Sequence, residues 1–171
     1  MSNSESSNGK GRAFASALLR ILGILFIAAV IVSCIPLTVP GLFGYGVYNV
    51  ESGSMAPEIP TGSVIYVKQV APEEIAAGDV ITFQNEGGTI THRVLSNKII
   101  EGEFITKGDA NEKEDLEPVP YSALVGKVTF HLPVLGRFLI VYSSFIGKIY
   151  VLIFAACGVM MNILAGRIRG K

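Results

Sequence analysis

The chain predicts a mainly β domain held between two apolar helices. Two stretches long and apolar enough to cross a bilayer lie near its ends, and five short β-rich runs fill its middle. The charge distribution separates the same three regions. Hydrophobic residues make up 50 % of the 171 positions and the formal net charge is zero, but neither is evenly spread.

Residues 1–12, "MSNSESSNGKGR", are rich in Ser, Asn and Gly, and read as a disordered tail. A transmembrane helix is expected over 13–39, because Ile21–Val39 runs nineteen residues without a charge and a helical span needs about 20 apolar residues. A cleaved leader would give a similar pattern. This run is longer than a leader core, and no small-x-small cleavage site follows it. "IVSC", ending at Cys34, is only a weak lipoprotein-like box. Pro36 and Pro40 are expected to mark the exit from the helix, with "GLFGYGVYNV" leading into the domain.

Residues 40–137 then form the expected β domain. Strands are predicted at 63–70, 79–85, 89–100, 103–109 and 125–132, each rich in Val, Ile, Thr, Phe or Tyr and bounded by Gly, Pro, Asn or Asp. "NEGGT" at 85–89 predicts a hairpin turn. Residues 138–166 form a second apolar segment, in which Ile149–Gly166 is expected to span as a second transmembrane helix. A basic tail, 167–171, closes the sequence.

Lys10, Arg12, Arg20, Arg167, Arg169 and Lys171 face only Glu5, leaving the two ends at +5. The middle, 35–148, holds thirteen acids and eight bases, a balance of −5. Basic flanks stay on the cytoplasmic side, so both termini are expected to be cytoplasmic and the acidic middle extracytoplasmic. The lipid bilayer is thus an expected partner. The middle has no basic cluster, aromatic platform or phosphate loop, which argues against nucleic acid or nucleotide binding. Cys34 and Cys157 lie in separate apolar runs and read as small apolar filler. No metal or cofactor is expected. "DANEKED" suggests a calcium loop, but Glu114 and Pro120 stand where that pattern needs Gly and Glu.

Ser54, in "ESGSMAPEIPTGSVIYV", raises the chemical question. A serine hydroxyl is a weak nucleophile without a base, an orienting group for that base and donors for the oxyanion. The chain holds two histidines, His92 in "ITHRV" and His131 in "FHLPVLG", the second read as structural. Taken singly, Ser54 reads first as a turn serine, His92 as a partly buried core or rim residue of a strand, and Asp109 and Asp115 as turn or capping residues.

The boxes "SGSMAPEIPTGSVIYV", "GDVITF", "THRV" and "TKGDANEKED" occur in that order and resemble signal peptidase I of the endoplasmic-reticulum type over roughly residues 48–128. The resemblance implies a signal-peptidase-like β domain at about 45–135 and a catalytic role for it. It implies Ser54 as nucleophile and His92 as general base, in the place where the purely bacterial type has lysine. Asp115 matches the aspartate that orients the base, and Asp109 a second aspartate that shapes the site. Ser52 and the Ser54 N–H match the oxyanion donors. Ala110 departs from the Asn that many relatives have there. Imidazole titrates near pH 6.5 and serves as a base at neutral pH without heavy burial, whereas lysine needs an apolar pocket.

The implied activity is a membrane-anchored serine endopeptidase that removes signal peptides from secreted precursors, with secretion-machinery partners. An extended substrate is expected to add to a strand edge, at Val64, Ile65, Tyr66 and Val67 or in "DVITF" through Ile81 and Phe83, with Met55 also in contact. Three other readings compete. One is the same fold dedicated to a few surface or matrix proteins, and another is a non-catalytic, membrane-tethered β module that binds partners. The third, a self-cleaving repressor of related β fold, fails on the membrane runs and the missing DNA-binding segment.

Overall fold

The computed structural model describes residues 3–169. Its elements, in chain order, are α1 (Asn3–Leu42), β1 (Tyr45–Asn49), β2 (Val64–Lys68), β3 (Val80–Asn85), β4 (Gly88–Lys98), β5 (Glu103–Lys107), β6 (Val119–Pro120), β7 (Leu124–Leu132), α2 (Gly136–Ser143) and α3 (Phe145–Arg169). The chain divides into two compact units. One, Leu37–Ile140, holds the sheet; the other joins the residues up to Pro36 with those from Val141 onward.

The sheet is seven-stranded and antiparallel throughout, in the order β1-β2-β7-β3-β4-β5-β6. All five predicted strands are present. The turn after β3 closes with Asn85 opposite Gly88, whose positive φ of 123° suits glycine. β1 lies outside the strands expected from the sequence, because Gly46 interrupts the alternation of "YGVYN". Gly46 lies beneath the Tyr48 ring, where a Cβ would stand 2.7 Å from Cε2, so the aromatic ring covers the position the glycine leaves bare.

Alternation along the strands builds two apolar clusters. Ile75, Ile81, Phe83, Val94, Phe104 and Val119 form one; Val50, Met55, Ile59, Ile65 and Val67 form the other. Each fully buried side chain of this size contributes about 1.5–3 kcal/mol.

α1 departs from expectation at both ends. It takes in residues 3–12, expected as a tail, and continues through Pro36 and Pro40 to Leu42, where Gly44 at φ 77° turns the chain out. A proline in a helix interior costs about 3 kcal/mol in water, but unwinding an apolar helix exposes more backbone than the two missing bonds do. α1 over Gly11–Leu42 and α3 over Phe145–Arg169 are both long and apolar enough to cross a membrane, with mean hydropathies of 2.7 and 2.1. Part of the expected 167–171 tail thus continues α3; Gly170 and Lys171 lie outside the described residues. Within their unit α1 and α3 touch. Phe26 and Phe154 stack at 5.7 Å, and Ser16 Oγ donates to the Ala165 carbonyl at 2.7 Å. Gly23 and Gly158 let the backbones approach, since a Cβ on Gly23 would lie 2.8 Å from the Gly158 carbonyl. Neither cysteine forms a disulfide.

Candidate active site

Residues 50–63, between β1 and β2, carry Ser54. The segment is closed by Val50 N–H to the Ser63 carbonyl (2.9 Å) and Gly62 N–H to the Val50 carbonyl (2.7 Å). The next residue along, Met55, is 1 % exposed in the second apolar cluster, so the backbone at Ser54 is anchored from beneath. It is also anchored from the side: Ala110 N–H donates to the Ser54 carbonyl at 2.8 Å. Gly108 permits that approach, because a Cβ there would stand 2.7 Å from the same carbonyl oxygen.

His92 is supplied by β4 and Asp115 by the segment after β5. His92 Nδ1 meets Asp115 Oδ2 at 2.6 Å, and His92 Nε2 meets Ser54 Oγ at 3.2 Å. A carboxylate only accepts, so Nδ1 carries the proton and the Nε2 lone pair faces the serine hydroxyl. Phe83 packs edge-on against the imidazole, with centroids 6.3 Å apart. The histidine is 9 % exposed, which keeps the ring out of bulk water while its edge reaches the serine. Ser52 Oγ lies 3.2 Å from Ser54 Oγ.

Asp115, not Asp109, is the carboxylate on His92. Asp109 instead grips Arg93 in a two-point ion pair, Nε to Oδ1 at 2.7 Å and Nη2 to Oδ2 at 2.6 Å. The hydrogen bonds that Arg93 donates to the Asp109 carboxylate hold the guanidinium above its ordinary value, and burial opposes them. Arg93 also donates to the Gly78 carbonyl at 2.8 Å. The pair thus ties the turn of 108–111, which touches Ser54, to β4. His131 stands on β7 opposite Ile65 and takes no part in this chain of bonds.

Thr106 was missed by sequence reasoning. Its hydroxyl donates to Asp115 Oδ2 at 2.6 Å, and its carbonyl accepts the Asp115 N–H at 2.8 Å. The signal was available in "EFITK", where Thr106 shares an inward face with Phe104 and both are 0 % exposed. A threonine at a core position has to satisfy its hydroxyl there.

The expected substrate edges need correction. β2 is paired on both sides, by β1 and β7, and β3 is paired by β7 and β4. Met55, Val64, Ile65, Tyr66, Val67, Ile81 and Phe83 are all buried, at 5 % exposure or less, and burial pushes the Tyr66 hydroxyl up from its usual value. Of these, Met55 and Phe83 still line cavities at the site. The open edge lies on β4 instead. β3 covers one side of Gly88–Arg93, while β5 pairs with β4 only from Arg93 onward. Among the described residues, no strand pairs with the other side of Gly88–His92. Along that edge runs a cleft of about 610 Å³, lined by Thr89–His92 on one side and Asn49–Ser52 on the other, with Ser54 and Met55 within it.

Comparison with known proteins gives matching relatives. The chain is 42 % identical over 100 residues to signal peptidase I W of Bacillus subtilis (strain 168), covering 55 % of this chain and 52 % of that protein. It is 31 % identical over 110 residues to the signal peptidase complex catalytic subunit SEC11C of Homo sapiens, 56 % of each chain, and equally to that of Canis lupus familiaris. The chain spans about half the length of the curated relatives it matches. No family model matches it.

Proposed function

We propose that this chain, which is similar to signal peptidases over about half its length, is a membrane-anchored serine endopeptidase that removes N-terminal signal peptides from secreted precursors. The observation that carries the reading is the hydrogen-bonded series Ser54–His92–Asp115 at the open edge of β4.

The chemistry follows from that geometry. Ser54 Oγ attacks the scissile carbonyl while His92 Nε2 takes its proton, and the Asp115 carboxylate stabilises the imidazolium and holds its tautomer. The Ser52 hydroxyl and the Ser54 N–H donate to the oxyanion. His92 then returns the proton to the departing amine, leaving the signal peptide esterified to Ser54. Water, deprotonated by His92, attacks the ester, and the proton passes back to Ser54. Asp109 shapes the site through Arg93.

The precursor enters extended, as an added strand on Gly88–His92, and the cleft selects small side chains near the cut. α1 and α3 anchor the enzyme in the cell membrane, with both basic ends cytoplasmic and the catalytic unit on the extracytoplasmic side. Anchoring raises the effective concentration of an emerging cleavage site.

The test is cleavage of a secreted precursor by the full chain in membranes or detergent. Ser54→Ala, His92→Ala and Asp115→Asn are expected to abolish processing, and Asp109→Asn to weaken it. Unchanged processing by Ser54→Ala would overturn the assignment.

A further inference from the structure

Next to the cleft lies a second cavity of about 430 Å³ that shares Ile90, His92 and Asn111 with it. The two differ in what else they contain. The cleft holds Ser52 and Ser54 but not Asp115, whereas the second cavity holds Asp115 but neither serine. In serine acyl transfer the two halves of the substrate part company at this point. The acyl half stays on the nucleophile, beside the oxyanion donors, while the amine half leaves from the imidazole that protonates it. A cavity that shares His92 and Ile90 with the cleft but contains neither serine fits the half of the substrate that leaves rather than the half that stays on Ser54.

We infer that the second cavity receives the first residues of the released protein, immediately downstream of the cut, and favours apolar or basic side chains there over acidic ones. This rests on the serine-peptidase reading above.

The lining supplies the preference. Phe83 and Val119 are buried and, with Ile90, give an apolar floor. Leu116 stands fully exposed beside them, at 101 %, so a side chain laid against it would bury apolar surface at little cost. The exposed rim carries Lys113 against Glu114 and Glu117. Asp115 is already engaged by His92 and Thr106. An arriving Lys or Arg lays its stem on Leu116 and reaches the glutamates with its head. An arriving Asp or Glu meets Glu114, Glu117 and the carboxylate of Asp115, with Lys113 as the one cation among the described rim residues to offset them.

The experiment compares precursors identical except for the first residue after the cut, which is Ala, Leu, Lys or Glu. Each is digested by the full chain and by a Glu114→Lys/Glu117→Lys double variant, and kcat/KM is compared within each enzyme, so a general loss of activity cancels. The wild type is expected to favour Lys over Glu by roughly fivefold, the scale of a few partly screened charges, and the double variant to lose or invert that ratio. Leu is expected to exceed Ala, with the advantage reduced by Leu116→Ser. Equal rates for all four precursors, or a Lys-to-Glu ratio unchanged in the double variant, overturn the inference while leaving the peptidase reading intact. Failure to cut any precursor, together with no acylation of Ser54 by a serine-directed probe, removes both.

Discussion

At the scale of single residues, Asp115 Oδ2 accepts both the His92 N–H and the Thr106 hydroxyl. A carboxylate held from two sides has one orientation available to it, and so has the ring it holds. Thr106→Val is therefore expected to lower kcat about tenfold, the size of a lost hydrogen bond to a charged group, with KM little changed and activity returned by Thr106→Ser. Steady-state kinetics of the three proteins tests this. Asp109→Asn breaks the two-point pair with Arg93 and leaves the guanidinium short of its counter-charge. A loss of about 1–3 kcal/mol in stability is expected, read as a lower Tm, with a smaller fall in kcat than Asp115→Asn causes. The residues of the relay were legible because the chain has only two histidines and because the ordered boxes single out one serine and two aspartates. Which aspartate reaches His92 was not a matter of spacing. The backbone bond between Asp115 and Thr106 fixes it, and that bond depends on how the 108–118 segment folds back along β5.

At the scale of elements, five strands and two apolar helices were legible from alternation and run length, since each is a local property. Edge or centre is not local. β2 and β3 become interior because β7, far along the chain, inserts between them, and nothing in "SVIYVKQV" or "DVITFQN" announces that. β1 is hard to read for the opposite reason, a short strand broken by Gly46 whose bare position is covered by the Tyr48 ring. Among the helices, the contact at Gly23 and Gly158 makes a specific demand. Gly23→Leu would drive a side chain into the Gly158 carbonyl and Asn162, forcing α1 and α3 apart. Cysteines at positions 26 and 154, where the native rings stack at 5.7 Å, are expected to crosslink readily in the Gly23 protein and poorly in the Gly23→Leu protein. Gel mobility under non-reducing conditions reads the difference.

At the scale of the whole molecule, the sheet is two groups of strands, β1-β2-β7 and β3-β4-β5-β6, joined where β3 meets β7. Lys127 on β7 and Asp79, just before β3, form an ion pair across that junction at 2.7 Å. Burial alone would raise the Asp79 carboxyl, but the hydrogen bond from Lys127, the Ala76 N–H and the Lys127 charge together hold it below its ordinary value. A carboxyl depressed on folding contributes stability above its unfolded value of about 3.9 and loses it as pH falls through the lower folded value. Lys127→Met is thus expected to cost up to about 1 kcal/mol at neutral pH and progressively less below about pH 4, as measured by urea unfolding at a series of pH values. The open edge of β4 has a consequence at this scale too. Unpaired N–H and C=O groups accept any extended chain, including a neighbouring copy of the same protein. Closing the edge would protect the molecule from self-association and would also shut its cleft. The opening is confined to Gly88–His92, and a bulge between Val94 and Ser96 breaks the regular ladder just beyond, which leaves little length for two copies to zip together. Specific activity is therefore expected to hold as the purified protein is concentrated, and a fall that reverses on dilution would show that copies do pair there: an opening of this length can take one extended chain while giving a second copy too short a seam to stay.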